Sequence, residues 1–215
     1  RFWSCVSSVI VLGVLFGCES KVTEDLPVLG PYKVQDNVVD GKFVTDTSFS
    51  QIRPFIFLNQ DGHEITEKTV DGKIYVTDFF FTSCPTICPK MKQQLLRVYD
   101  EFEGEQDLLI LSHSIDPKRD SVGRLNDFAK KLGIESARWH LLTGNQDTIF
   151  SMARHYMSVA QVDKLAPGGF AHSGSFLLVD RNRQIRGIYD GKNPDEVDKL
   201  MDDLHYVLSH PTPMQ

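Results

Sequence analysis

The sequence contains no basic run, and this shortage of clustered positive charge argues against a nucleic-acid-binding protein. The formal net charge is -6 over 215 residues, whereas a nucleic-acid partner is expected to need a basic patch. Internal repeats and low-complexity tracts are also missing. With 41% hydrophobic residues, the chain is long enough to bury one core and too short for two comfortable domains. We therefore expect one globular domain with an N-terminal extension and no nucleic-acid partner.

Long hydrophobic runs are scarce as well, because the apolar stretch near the start covers only residues 9–17. This stretch is too short to span a bilayer comfortably and is typical of an export signal. It runs into Leu15-Phe-Gly-Cys18, which resembles a bacterial lipobox with an acylated cysteine; a non-cleaved anchor helix is the alternative. We expect residues 1–17 to be a signal peptide and Cys18 to be lipidated. The protein would then be an exported, membrane-anchored lipoprotein that faces the periplasm or the cell exterior.

Cysteine is sparse, with four residues in the chain. Cys5 would leave with the signal peptide and Cys18 would carry lipid, so only Cys84 and Cys88 belong to the expected mature domain. A disulfide between residues four apart closes so short a loop that it contributes little stability. A chemical role therefore suits this pair better than structural cross-linking.

The composition of the chain changes near residue 50. Residues 19 to about 50 are rich in proline, glycine, aspartate and threonine and show little sustained periodicity, which is typical of a tether. We expect residues 18–50 to form a lipid-anchored tether and N-terminal extension that packs on the edge of a domain. The domain itself is expected at residues 51–215.

Strand and helix patterns alternate along this domain. Strands are predicted at 55–59, 63–66, 74–81, 108–112, 139–142, 176–179 and 185–189, with the first two and the last two forming hairpins. Helices are predicted from about residue 88 onward and at 121–132, 147–156 and 194–208. This order implies an α/β sandwich around one sheet that has an antiparallel edge.

The segment Cys84-Pro-Thr-Ile-Cys88-Pro89 places two thiols in a tight turn between a buried strand and a helix. Proline disfavours helical geometry at the residue before it, so the helix is expected to begin near Cys88. The helix dipole favours thiolate at Cys88, whereas the turn favours exposure of Cys84. Either cysteine could therefore be the attacking thiol, and soft-metal binding and thiol-disulfide exchange both stay open.

His172 is the best candidate for a third ligand. It lies in what we expect to be a flexible, glycine-containing loop just before the strand at 176–179. In a thioredoxin-like sandwich that loop lies beside the turn that carries the cysteines. Two thiolates and one imidazole suit copper, because thiolate selects Cu(I) and imidazole also accepts Cu(II). The alternative is an exposed loop histidine without a partner.

Asp78 lies six residues before Cys84 in the apolar strand, the separation that places a buried aspartate behind the first cysteine of thioredoxin. A carboxylate there would have a raised pKa and could accept a thiol proton. The competing interpretation is an aspartate that faces a solvated pocket or pairs with a nearby base. Both interpretations stay open.

Two further features are given structural roles. His113 follows an apolar strand, and we expect it to be hydrogen-bonded to backbone and to lie outside the site. The segment Asp116-Pro-Lys-Arg-Asp120 is expected to shape a loop that could also line the approach to the cysteines.

Several motifs together resemble the Sco/SenC family, the thioredoxin-like copper chaperones of cytochrome c oxidase assembly. The resemblance runs from about Gly30 to the C-terminus. The matching segments are Cys84-Pro-Thr-Ile-Cys88-Pro89 for the family's CPxxCP, Ser114-Ile-Asp-Pro-Lys-Arg-Asp120 for SIDPxxD, Leu142-Thr-Gly144, and His172-Ser173. Thr86 and Ala171 depart from the pattern, since many members carry acidic residues there, so copper affinity or partner docking could differ.

This resemblance implies a fold, a ligand set and a function. The fold is expected to be α/β: a thioredoxin-like sandwich with a central mixed sheet flanked by helices and an N-terminal hairpin extension. The family's copper ligands correspond to Cys84, Cys88 and His172. The chain would then be a metallochaperone, rather than an enzyme, that delivers copper as Cu(I), Cu(II) or both to the Cu(A) site of cytochrome c oxidase subunit II or a similar exported acceptor.

A thiol-disulfide reductase that acts on exported proteins is the alternative. Cys84 would attack, Asp78 would accept its proton, and His172 would be dispensable. For a carrier, by contrast, oxidation of Cys84 and Cys88 to a disulfide would switch copper binding off.

Overall fold

The computed structural model describes residues 25–210. Its strands, in chain order, are β1 (Tyr32–Val39), β2 (Lys42–Phe49), β3 (Ile56–Leu58), β4 (Glu64–Thr66), β5 (Ile74–Phe80), β6 (Leu108–Ser114), β7 (Trp139–Leu142), β8 (Ala160–Val162), β9 (Phe170–His172), β10 (Ser175–Val179) and β11 (Ile185–Asp190). Its helices are α1 (Ile87–Glu101), α2 (Val122–Leu132), α3 (Gln146–His155) and α4 (Pro194–Ser209), and a 3₁₀ turn covers Pro167–Gly169.

Five strands form the central sheet in the order β11-β10-β5-β6-β7. β5, β6 and β7 are parallel, and β10 pairs antiparallel with both β5 and β11. Every residue of β5 and β6 is buried, as expected for parallel strands covered on both faces. The sheet is therefore mixed, with its antiparallel strands at one edge.

Alternate residues of β5 face opposite helical layers, because successive side chains of a strand point to opposite sides. The Tyr75 ring packs on Tyr156 after α3, with ring centroids 6.4 Å apart. The Phe80 ring packs on Phe128 of α2, with centroids 5.9 Å apart. Asp78 shares the face of Phe80 and hydrogen-bonds to a lysine of α1. Asp78 therefore lies on the face of the sheet that α1 covers, and α1 carries the second cysteine.

The predicted α/β sandwich with a central mixed sheet, flanking helices and an N-terminal hairpin extension is confirmed. The predicted hairpin around residues 60–62 is also present, since β3 pairs antiparallel with β4. α1 begins at Ile87, one residue before the predicted start. The side chains of Ser121, Asn145 and Asn193 accept the capping hydrogen bonds that begin the other three helices.

The N-terminal extension is more ordered than its composition predicts. β1 and β2 form an antiparallel hairpin within residues 32–49. The family resemblance implies this hairpin, whereas the composition of these residues indicates only a tether. All eight residues of β1 are exposed, so the ribbon has no buried face that would impose a strand pattern on its sequence. Ahead of the hairpin, the Leu29 amide donates to the Ile185 carbonyl oxygen at 2.7 Å. The extension therefore packs against the edge strand β11.

The remaining predictions about the start of the chain concern residues outside 25–210. The signal peptide at 1–17, the lipidation of Cys18 and the loss of Cys5 all lie outside the described residues. Across residues 25–210, none of the helices is both long enough and apolar enough to cross a membrane.

Candidate metal centre

The turn between β5 and α1 presents both cysteines at one end of the sheet. β5 ends at Phe80, and the Cys84 amide donates to the Phe81 carbonyl oxygen at 3.2 Å to close the turn. Helix α1 then begins at Ile87 without a side-chain cap. Cys88 therefore lies in the first turn of α1, where the backbone amides have no helical partners.

Asp120 braces this turn from the loop after β6. Its carboxylate is fully buried and accepts from the Thr82 amide at 2.9 Å, the Thr82 hydroxyl at 2.5 Å and the Ser114 hydroxyl at 2.6 Å. The Arg124 guanidinium lies 3.5 Å from the same carboxylate. The segment 116–120 is thus a loop-shaping element, as predicted, and it acts through Asp120.

His172 lies at the end of a short strand and not in a flexible loop. β9 pairs antiparallel with β8, and His172 faces Ala160 across this pair. Pairing to a neighbouring strand fixes the backbone of His172. The nearby glycines suggest a loop, so this strand is not evident from the sequence. The expectation of a flexible loop was wrong, although the predicted position before β10 was right.

Gly168 allows this segment to approach the cysteine turn. Its φ is +83°, and a Cβ built there would lie 2.7 Å from Cε2 of Phe81. Any larger residue would therefore be strained and would also clash. The Phe81 ring in turn packs edge-on against the His172 ring, with centroids 6.1 Å apart. A glycine and an aromatic ring together set the position of the histidine.

Cys84, Cys88 and His172 are brought together by this arrangement. Their ligand atoms all lie within 4.8 Å of one another, and the Cys88 Sγ lies 3.3 Å from the His172 Nε2. Both cysteines border a cavity of about 310 Å³ that is also lined by Phe81 and Lys92. Two sulfurs and one imidazole nitrogen at this spacing form a donor set for a soft metal ion.

The two thiols differ in acidity. Burial raises the pKa of Cys84, but hydrogen bonds to the thiolate from the backbone of Thr86 and from Cys88 outweigh it, so the pKa is lowered overall. Burial raises the pKa of Cys88 strongly. The helix dipole on its own favours thiolate at Cys88, and desolvation overturns that preference. Cys84 is therefore the thiol that ionises first.

Burial lowers the pKa of His172 to about 4. The imidazole is therefore neutral at pH 7, which is the form that binds metal ions. Its Nε2 faces Cys88, while Nδ1 is buried and has no hydrogen-bond partner among residues 25–210. A neutral imidazole aimed at a sulfur is ready to act as a ligand without first losing a proton.

Asp78 pairs with a base, which is the second of the two interpretations of this residue. Its Oδ2 accepts from the Lys92 ammonium at 2.8 Å, and its Oδ1 accepts from the Ser112 hydroxyl. Both charged side chains are almost completely buried. Because the carboxylate is already engaged by Lys92, it is poorly suited to accept a thiol proton. Lys92 was not predicted from the sequence, although its position four residues after Cys88 places it on the same helix face.

His113 lies outside the site, as predicted, but not with the expected backbone hydrogen bond. Neither ring nitrogen has a hydrogen-bond partner within the described part of the chain. The ring packs among aromatic side chains, with centroids 5.1 Å from both Phe57 and Phe79. Burial lowers the pKa of His113 to about 3, so this histidine is a neutral core residue.

Thr86, one of the two departures from the expected pattern, touches the site. Its hydroxyl lies 3.7 Å from the Cys84 Sγ. A neutral hydroxyl therefore stands beside the sulfur at a position where an acidic residue would place a negative charge.

Comparison with known proteins supplies the family context. A family model described as SCO1/SenC matches residues 45–209. A SCO1/SenC family lipoprotein from Bacillus anthracis is 28% identical, with a TM-score of 0.67, over 74% of this chain and 95% of that one. BsSco, described as having a disulfide switch and as a member of the Sco family of cytochrome c oxidase assembly proteins, is 27% identical, with a TM-score of 0.64, over 74% and 94% of the two chains.

A third similar structure is Arabidopsis thaliana ScoI, which was solved with copper bound. It is 27% identical, with a TM-score of 0.60, over 73% of this chain and 99% of that one. All three alignments cover more than nine tenths of the solved chains. The likeness therefore extends over nearly all of each solved chain and not only over the cysteine turn.

Proposed function

This chain belongs to the SCO1/SenC family, and from that premise we propose that it is a copper carrier whose ligands are Cys84, Cys88 and His172. The observation that carries the proposal is the convergence of two sulfurs and one imidazole nitrogen within 4.8 Å. Thiolates and neutral imidazole are preferred ligands of copper. A similar protein solved with copper bound supports the choice of metal.

Copper is the cargo of this protein. Cu(I) held by two thiolates and a neutral imidazole has an open coordination sphere, so an incoming acceptor ligand can bind before a carrier ligand leaves. The cavity beside Cys84 and Cys88 gives an acceptor a route to the ion. As each acceptor thiolate bonds to copper, one Cys–copper bond breaks and the released sulfur can take up a proton. The ion then passes between proteins without being set free in water.

The acceptor is proposed to be the Cu(A) site of cytochrome c oxidase subunit II or a similar exported copper site. Support comes from BsSco, which is described as a cytochrome c oxidase assembly protein. The exported, membrane-anchored location belongs to the same proposal. It is supported by the lipobox-like segment ending at Cys18 and by the similar Bacillus anthracis protein, which is described as a lipoprotein.

A thiol-disulfide reductase remains the second candidate, because the pKa of Cys84 is lowered. The Cys84 thiolate would attack a substrate disulfide and release one substrate thiolate, which is protonated. Cys88 would then lose its proton and attack the Cys84 sulfur, releasing the second substrate thiol and leaving a Cys84–Cys88 disulfide. Two electrons pass to the substrate. Engagement of Asp78 by Lys92 removes the proton acceptor that this reaction was expected to use.

A transfer assay separates the two functions. The full chain, with Cys5 and Cys18 replaced by serine, is loaded with Cu(I) and mixed with the copper-free soluble domain of an oxidase subunit II, and copper is measured in each protein after separation. The carrier proposal expects copper to move to an acceptor with reduced thiols. Reduction of an oxidised acceptor by the copper-free chain, with no copper transfer in the first assay, would instead favour the reductase.

A further inference from the structure

Lys92 and Asp78 form a buried ion pair behind the candidate copper site. The ammonium of Lys92 lies 2.8 Å from the Asp78 carboxylate. The Ser112 hydroxyl accepts from Lys92 and from the Trp139 indole, both at 2.9 Å, and donates to Asp78. A hydroxyl has one proton and two lone pairs, so every hydrogen-bonding position of Ser112 is used. The lysine is therefore held in one place.

Aromatic rings complete the surroundings of this ammonium. Its Nζ lies 4.0 Å from the centroid of the Phe80 ring and 5.4 Å from that of the Trp139 ring, so cation–π attraction adds to the ion pair. Lys92 is only 2% exposed. A buried ion pair of this kind is weak support for stability, since well-packed apolar residues often serve as well. Stability alone therefore does not account for a charge at this position.

The position of Lys92 points to a role at the site. It lies one helical turn after Cys88, on the same face of α1, and it lines the cavity that the two cysteines border. Asp78 is not among the residues that line this cavity, so of these two charges only the cation borders the space beside the cysteine sulfurs. A charge fixed in a poorly solvated interior acts more strongly on its neighbours than a surface charge.

We propose that Lys92 determines metal specificity: its buried positive charge favours monovalent copper over divalent ions at Cys84, Cys88 and His172. This assignment deepens the proposed carrier function and rests on it. Cu(I) with two thiolates and a neutral imidazole has a formal charge of minus one, whereas the same ligands around a divalent ion give a neutral complex. A nearby cation stabilises the anionic complex and has little effect on the neutral one.

The ratio of Cu(I) affinity to Zn(II) affinity isolates this effect. The two complexes share their ligands and differ by one charge, so the protonation state of the free thiols cancels from the ratio. Zn(II) is redox-inert and accepts cysteine and histidine ligands, so it does not oxidise the thiols. Both affinities would be measured anaerobically by competition with chelators on the full chain carrying Cys5→Ser and Cys18→Ser.

Four variants give an ordered expectation. Lys92→Met lowers the ratio by about tenfold or more, because one charge is removed about one helical turn from the site. Asp78→Asn raises it, because the cation loses its counter-ion. The double variant, with Asp78→Asn and Lys92→Met, should have a ratio between that of wild type and that of Lys92→Met. It leaves no unpaired buried charge, so it can replace Lys92→Met if that variant folds poorly. Lys90→Met removes an exposed lysine of the same helix and leaves the ratio unchanged.

The alternative outcomes are distinct. Equal losses of Cu(I) and Zn(II) affinity in folded Lys92→Met protein would reduce Lys92 to structural support and overturn the assignment. A ratio that stays within about twofold of wild type in both Lys92 variants would also overturn the assignment of Lys92. If wild type still bound Cu(I) tightly, the proposed carrier function would be unaffected by that result. No Cu(I) binding by wild type would overturn the carrier function and this assignment with it.

Discussion

The Cys88 sulfur and the His172 Nε2 lie 3.3 Å apart although 84 residues separate them in the chain. The first belongs to a helix start and the second to the end of a short strand outside the central sheet. Their contact depends on three supports: the turn braced by Asp120, the glycine at 168 and the pairing of β8 with β9. Each support can be removed separately.

Replacing Gly168 with alanine should displace the histidine. The new Cβ would lie 2.7 Å from the Phe81 ring, and the φ of +83° is strained for any residue other than glycine. We expect Cu(I) affinity to fall by about tenfold or more, equivalent to about 1.4 kcal/mol, in a protein that still folds. Competition with a Cu(I) chelator measures the change.

Gly169→Ala is the matched control for this substitution. Gly169 also has a positive φ, +86°, but a Cβ there meets nothing within 4 Å. It therefore introduces the backbone strain without the clash. Equal losses of affinity in the two variants would show that the contact between Gly168 and Phe81 does not position His172.

Asp120→Asn should loosen the cysteine turn. Asparagine keeps one oxygen acceptor but loses the charge and the second oxygen, so the donors from Thr82 and Ser114 are no longer all satisfied. Hydrogen bonds to a charged group contribute about 1.5–3 kcal/mol each, and we expect a loss of about 2 kcal/mol in the free energy of unfolding together with weaker Cu(I) binding. Urea denaturation and chelator competition measure the two effects. Asp127→Asn, a change on α2 outside this network, should alter neither, and comparable effects in both variants would contradict this role.

The two site cysteines should react with iodoacetamide at different rates. Thiolate is the reactive species, the pKa of Cys84 is lowered and that of Cys88 is raised. We therefore expect Cys84 to be alkylated first near neutral pH, with Cys88 following only as the pH rises. Mass spectrometry of the two modified positions over time gives the rates. Faster alkylation of Cys88 at neutral pH would contradict the assignment of the more acidic thiol.

Acid should destabilise the fold partly through His113. Burial lowers its pKa to about 3 in the folded state, against about 6.5 in the unfolded chain. Between these values the unfolded state binds a proton that the folded state does not. The stability that the neutral, buried His113 contributes is therefore fully present above about pH 6.5. As the pH falls toward about 3, the free energy of unfolding decreases by up to about 1.4 kcal/mol per pH unit.

His113→Phe tests this contribution, because the ring already packs against Phe57 and Phe79. The variant should gain stability relative to wild type as the pH is lowered from about 7 to about 4.5, measured by urea denaturation. His63→Phe, at an exposed position, should show no such trend. A difference between His113→Phe and wild type that stays constant with pH would contradict the assignment.

The central sheet could be predicted because β5 is a nearly continuous apolar run and β6 begins with four apolar residues, and strands buried on both faces are typically of this kind. The residue pattern of β1 and β2 does not predict these strands, since every residue of β1 is exposed and no buried face imposes a pattern. The hairpin extension was expected only from the family resemblance. The candidate ligands Cys84, Cys88 and His172 were predicted from their chemistry and from the family resemblance. Their separations depend on tertiary packing and could not be read from the chain.

Electrostatics at the site were the least predictable part. A helix start favours thiolate at Cys88, but the burial that raises its pKa comes from residues distant in sequence. In the same way, Asp78 could be predicted to be a buried carboxylate. Its pairing with Lys92 could not be predicted, because it depends on how α1 packs on the sheet. Local sequence patterns indicate which secondary structure a segment forms, whereas the desolvation and pairing of ionisable side chains depend on the complete fold.

Cu(I) titration of the reduced full chain, with Cys5 and Cys18 replaced by serine, tests the carrier function most directly. It is run against a competing chelator beside Cys84→Ser, Cys88→Ser, His172→Ala and, as a control, His155→Ala at an exposed position. We predict one tightly held copper ion per chain, lost in both cysteine variants, weakened in His172→Ala and unchanged in His155→Ala. Undiminished copper retention in both cysteine variants would contradict the carrier function.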